Sequence, residues 1–207
     1  MQRVWGRASS VNVMKIVWLL ELLRQPYERI DAGRSFGVTD SADYRTMNPN
    51  GKIPTLQQDD GFVLWESNPI LRYLASTCPG GETYWPADPR RRANVDRWMD
   101  WQQTTIDAPM RVLLRGLVRT PPAERNMAEI EAAVADAGLA WSQLNDELSR
   151  HAFVAGENFT LADIVLAVHV HRWFAFDIER PDLPALRAWY DGLLTSPIYR
   201  QHGALPL

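Results

Sequence analysis

Between residues 78 and 89 the chain breaks. Cys78-Pro79-Gly80-Gly81 and, a few residues on, Pro86-Ala87-Asp88-Pro89 place proline and glycine where neither a helix nor a strand can run through. The text on either side of this break has different periods. Before it, short extended runs alternate with helical ones. After it, apolar residues recur only at helical spacing. One chain therefore carries two kinds of architecture: residues 1–78 as a mixed α/β domain, 79–89 as a linker, and 90–207 as an all-helical domain.

The first part reads strand, helix, strand, helix, strand, strand, helix. A short extended run at 3–5 ends at Gly6, and Val13, Ile16, Val17, Leu20 and Leu23 then line one side of a helix over 13–23. Pro26 stops that helix, and 27–30 is a second strand. A polar stretch follows, with a weak helix at 40–47. Two short strands, 54–56 and 62–64, flank the turn residues Asp59-Asp60-Gly61. A helix over 67–77 closes the domain. This βαβαββα order suits a small mixed sheet with helical cover. After the linker, long helices are predicted over 92–117 and 123–150, separated by Pro121-Pro122, then over 160–173 and 183–194. No internal repeat or low-complexity tract is visible.

Composition narrows the function. The chain has 207 residues, enough to bury about 70% of its unfolded surface without covalent staples. Twenty-two basic against twenty-five acidic residues give a net charge of −3, which supplies no broad basic field and argues against nucleic acid. A single cysteine, Cys78, rules out a disulfide framework and a CxxC redox pair. His169 and His171 are two apart and face different ways on a helix, so no metal site is expected. No apolar run reaches the roughly 18 residues that span a bilayer, and 16–20 is interrupted at Glu21. The expectation is a cytoplasmic protein without membrane contact.

Two runs carry a resemblance. Asn48-Pro49-Asn50-Gly51-Lys52-Ile53-Pro54-Thr55-Leu56, followed by Leu64-Trp65-Glu66-Ser67-Asn68-Pro69-Ile70-Leu71-Arg72-Tyr73-Leu74, resembles the soluble glutathione S-transferase family. Trp85-Pro86-Ala87-Asp88-Pro89 and Phe159-Thr160-Leu161-Ala162-Asp163 are similar to that family's linker and C-terminal capping segment, and the likeness runs through the whole chain in order. The resemblance implies a thioredoxin-like first domain, a helical second domain and a homodimer. Its partners would be glutathione as co-substrate and a small electrophile, with no metal and no nucleotide, in a role such as detoxification.

The same resemblance implies roles for single residues. Ile53-Pro54 would be a cis bond at a sheet edge, its backbone pairing with the extended tripeptide; a tight turn with a trans proline is the plainer alternative. Glu66 would hold the γ-glutamyl ammonium. Ser67 would receive the carboxylate at a helix N-terminus. On residue chemistry alone, Ser67 is equally a helix N-cap and Glu66 an exposed acid at the positive helix end. Lys52 would reach the glycyl carboxylate, or is equally a solvated lysine. Thr160 and Asp163 fit a capping box, which makes Asp163 a determinant of folding.

The thiol needs help to ionise. A free cysteine has a pKa of about 8.5, and lowering it by two units takes about 2.7 kcal/mol of preference for the anion. A hydroxyl or amide donor at a helix start, worth roughly 1.5–3 kcal/mol, supplies that. The first turn, Gly6-Arg7-Ala8-Ser9-Ser10-Val11-Asn12, has no tyrosine and no cysteine. By resemblance this argues against the tyrosine, omega-like and beta-like types. Ser10 falls where theta- and zeta-like members carry serine, Asn12 close to the asparagine of nu-like members, and Ser9 is selected by a one-residue gap. The order of preference is Ser10, Asn12, Ser9; all three are also residue types that cap helices. Trp98, Trp101, Gln102 and Arg111 lie on the helix that would face the electrophile pocket, though the spacing of the tryptophans suits a core as well. The alternatives are glutathione-dependent peroxide or disulfide reduction, and a non-catalytic binding module on the same fold.

Overall fold

The computed structural model describes all 207 residues. The chain divides into two compact units, Met1–Trp85 with Pro197–Pro206, and Pro86–Ser196 with Leu207.

The first unit is built on a four-stranded sheet in the order β2-β1-β3-β4, from β1 (Gln2–Trp5), β2 (Tyr27–Ile30), β3 (Thr55–Gln58) and β4 (Val63–Trp65). β1 and β2 are parallel and joined through α1 (Val11–Leu22). β3 runs antiparallel to both β1 and β4. The β3–β4 turn closes where the Phe62 N–H donates to Asp60 Oδ1 at 3.0 Å and Gly61 adopts φ +89°. α2 (Ala42–Met47) and α3 (Ser67–Thr77) complete the unit. The sheet and its cover are held by apolar burial: Val4, Leu56, Ile16, Leu19, Leu20, Ile70, Leu71 and Leu74 have no solvent exposure. α1 is buried along almost its whole length, which is why its sequence is apolar on more than one face.

The second unit is helical: α4 (Pro89–Trp101), α5 (Asp107–Leu113), α6 (Met127–Leu148), α7 (Leu161–Ala175) and α8 (Pro184–Leu194). α7 is its axis. Twelve of its fifteen residues are buried, and Trp173 lies 6.5 Å from Trp141 of α6 between ring centroids. The capping box is present at its start: Thr160 N–H donates to Asp163 Oδ2 at 2.8 Å, and Thr160 Oγ1 accepts from the Ala162 N–H at 3.3 Å. Asp163 Oδ1 also accepts from the Val154 N–H and the Trp189 indole.

The structure departs from the sequence reading in three places. The single helix expected over 92–117 is interrupted by π-helical turns at Gln102–Ile106 and Leu114–Arg119. The expected helix start at 123 is a 3₁₀ turn, and α6 begins at Met127, where Asn126 accepts the Glu129 N–H. The third correction concerns the last residues. The helical domain was expected to run to 207, but α9 (Pro197–His202) and the residues to 206 belong to the first unit. The reason is a buried aromatic contact, Tyr199 against Trp18 of α1 at 4.6 Å, with His202 Nε2 3.6 Å from Glu21. No helix is long and apolar enough to cross a membrane.

Candidate functional site

The site grows from two helix starts that face each other. α1 begins at Ser10, whose backbone is extended (φ −87°, ψ 123°) and whose carbonyl accepts the N–H groups of Val13 and Met14. The Ser10 hydroxyl caps nothing, and at 8% exposure the residue lies just beneath the surface. α3 begins at Ser67, so Ser67 is the first helical residue and not the N-cap that its residue type suggested. Glu66 holds the N-cap position, at φ +73° with its side chain exposed and its carboxylate capping nothing. A glutamate in the left-handed region costs about 1–2 kcal/mol. That cost is met only where the surrounding fold fixes the backbone, and here it turns an acid outward beside a row of helix N–H groups.

Asn12 joins the two starts. Its Oδ1 accepts from Ser67 Oγ at 3.2 Å and from the buried Lys15 ammonium at 3.0 Å. With the oxygen fixed, the Asn12 amide nitrogen is turned away from that pair and remains a donor. The turn bearing Ser10 and the helix bearing Ser67 are thereby tied together. Ser9 lies exposed, one residue outside this arrangement.

A third strut is the segment before β3. The Ile53–Pro54 bond is cis. The Lys52 carbonyl accepts from Tyr44 Oη at 2.7 Å and Asn48 Nδ2 at 2.8 Å, and both groups also meet Thr55 Oγ1. Tyr44, Asn48 and Thr55 are buried, and burial raises the Tyr44 phenol pKa. This network, which the sequence reading missed, clamps the Lys52–Thr55 turn from beneath. Asn48 and Thr55 do sit within the run quoted above, and a buried polar pair spaced at seven is the signal that was available. Ile53 makes no backbone hydrogen bond within the turn, whereas the Lys52 side chain is exposed and pairs with no carboxylate.

The four residues expected on the electrophile pocket separate. Trp98 and Trp101 meet edge to face at 5.1 Å. Arg111 is exposed and pairs with Asp107 at 3.2 Å. Gln102 is 1% exposed, with Nε2 3.1 Å from His169 Nε2. It is a core group of the helical unit and no wall of an open pocket, because its amide is needed to satisfy a buried imidazole. No cluster of three or more histidine, cysteine, aspartate or glutamate side chains is placed to hold a metal.

Residues 9–77 match the family model for the glutathione S-transferase N-terminal domain, and 127–192 match that for its C-terminal domain. The glutathione S-transferase GstB of Escherichia coli K12 is 40% identical over 205 residues, covering 99% of this chain and 98% of GstB. The chain belongs to the glutathione S-transferase family. Its backbone is similar to the glutathione-bound theta-class glutathione S-transferase of Xanthomonas axonopodis pv. citri, at a TM-score of 0.95 and 41% identity over 100% of this chain and 98% of that one. A glutathione S-transferase from Pseudomonas fluorescens superposes at a TM-score of 0.85 with 30% identity, over 95% of this chain and 96% of its own. In this chain the two helix starts and the Ile53 segment lie in the first unit, where the N-terminal family model matches.

Proposed function

We propose that the chain is a glutathione transferase, conjugating the glutathione thiolate to small hydrophobic electrophiles. The observation that carries this reading is the Asn12–Ser67 hydrogen bond, which gathers an unused hydroxyl, an outward carboxylate and a helix N-terminus at one place. The γ-glutamyl carboxylate meets the N–H groups at the start of α3 and the Ser67 hydroxyl, and its ammonium meets Glu66. The cysteinyl backbone pairs with Ile53 as an added strand. Ser10 donates to the thiolate, whose proton has left to solvent. The sulfur then attacks the electrophilic carbon, and the leaving group departs with its bonding electrons.

A second reading has its own support. The fixed orientation of the Asn12 amide makes it a donor in reach of the same turn, which suits glutathione-dependent peroxide or disulfide reduction. The chain is further proposed to act as a cytoplasmic homodimer. Family membership supports this, as does the exposure of Phe62 and Trp65, near 40% each, beside and on the sheet-edge strand β4.

The test is a pair of assays on wild type and Ser10→Ala. Conjugation of an aryl halide that exceeds reduction of an organic hydroperoxide, and falls at least tenfold in the variant, is the expected result. Hydroperoxide reduction that dominates and survives Ser10→Ala while failing in Asn12→Ala favours the second reading.

A further inference from the structure

A cavity of about 250 Å³ opens within the first unit between α1, β2 and α9, and it reaches Ala8, two residues before Ser10. Met14 and Val17 of α1, with Leu205 beyond α9, give it apolar walls. Tyr27 and Arg29 of β2 and His202 of α9 give it polar ones. At about 3.6 residues per turn, Met14 and Val17 stand on the face of α1 turned away from Asn12 and Lys15. The cavity is therefore on the other side of the helix from the Asn12–Ser67 hydrogen bond.

No carboxylate lines this cavity. The acids that touch its rim are engaged: Glu21 Oε1 accepts from Tyr27 Oη at 2.8 Å and lies 3.6 Å from His202 Nε2, and Asp31 pairs with Arg29. The Asp31 side chain is 41% exposed, and an exposed ion pair of this kind contributes little and yields to a competing carboxylate. The volume falls below that of drug-sized sites, which limits an occupant to a compact body. Apolar walls with a guanidinium and an imidazole at the rim fit an acid with such a body, because burial of its apolar part favours it over Asp31.

We propose that this cavity binds a small aromatic monocarboxylate, held by Arg29 and His202 against Met14, Val17 and Leu205, and that its occupant acts on the turn carrying Ser10. Arg29 Nη1 also donates to the Gly6 carbonyl at 2.9 Å, at a glycine so confined that a methyl there would stand 2.5 Å from Val13 Cγ2. A carboxylate that draws the guanidinium into the cavity releases this carbonyl, and the turn from Gly6 to Ser10 loosens. The site stands apart from the glutathione reading; its effect on the thiolate rests on that reading.

The first measurement titrates benzoate and neutral benzamide into the wild-type chain and follows the His202 ring and Arg29 Nε–H signals by NMR. Benzoate is expected to shift both saturably and benzamide to bind roughly tenfold more weakly or worse. Equal affinity for the two, or no shift by benzoate, overturns the proposal. Val17→Phe and, from the half-buried side, Leu205→Trp fill the cavity. Each is expected to weaken benzoate by roughly tenfold while glutathione affinity stays within about twofold; folded variants that bind benzoate as wild type does overturn the proposal. In the conjugation assay, benzoate is expected to lower kcat with glutathione and aryl halide both saturating. Inhibition that saturating aryl halide abolishes makes the cavity the electrophile's own and overturns a separate site, and no inhibition overturns the effect on the turn. Wild type that binds no glutathione while benzoate still shifts His202 and Arg29 overturns the glutathione reading and leaves the carboxylate site standing.

Discussion

At the scale of single residues, activity depends on which side chain donates to the thiolate. Ser10 has a hydroxyl without a protein acceptor and a position at a helix start, so its loss removes one charge-assisted bond. Ser10→Ala is expected to raise the pKa of the bound glutathione thiol by about one to two units, read from the ultraviolet absorbance of the thiolate against pH; Ser10→Thr restores it. Asn12→Ala differs, because Asn12 also holds Lys15 and Ser67, and it lowers stability together with activity. Beneath the site, Thr55→Val leaves Tyr44 Oη and Asn48 Nδ2 each short of a partner. That substitution is expected to cost about 1–3 kcal/mol in denaturant unfolding, with glutathione affinity falling as the Lys52–Thr55 turn loosens. Residue types announced Ser67, Glu66 and Ile53-Pro54 through a resemblance. They did not announce that Glu66 would be the strained N-cap, since a left-handed glutamate is imposed by the surrounding fold and has no trace in its own chemistry.

Among the elements, α7 shows how a local signature becomes a stability determinant. Asp163 is wholly buried, and burial pushes its carboxyl pKa up to about 6, with hydrogen bonds from Val154, Thr160 and Trp189 pulling the other way. An acid whose folded pKa is raised holds its proton in the folded chain after the unfolded chain has released it. Its contribution is therefore fully present below about pH 4 and declines as pH rises to about 6, then stays level. Asp163→Asn keeps one acceptor oxygen and is expected to lose about 1–3 kcal/mol at pH 7. The gap to wild type in thermal unfolding widens as pH falls from 6 to 4; a gap that narrows over that window contradicts the assignment. The box was legible because Thr160 and Asp163 have the spacing that the chemistry requires. The π-helical turns were not: the buried positions Met99, Gln102, Ile106 and Met110 follow one another at spacings of three and four, which a straight α-helix gives as well.

The molecule as a whole divides at Trp85, inside the stretch where proline and glycine break both periods. That much follows from local chemistry. The return of α9 to the first unit does not, because the partner of Tyr199 is Trp18, far away in sequence, and a six-residue helix after Pro197 carries no sign of where it docks. Tyr199 has no solvent exposure and Trp18 2%. Tyr199→Ala is expected to destabilise the first unit by about 3 kcal/mol and to expose its α1 to limited proteolysis, with the helical unit resisting cleavage as before.

The central claim is that the start of α3 receives the γ-glutamyl group of glutathione. Calorimetric titration of glutathione into wild type and Ser67→Ala tests it most directly. Saturable binding to wild type is expected, with affinity weakened by about tenfold in the variant, whose fold is checked by circular dichroism. Equal affinity in the two proteins, or no heat of binding to wild type at millimolar glutathione, would contradict it.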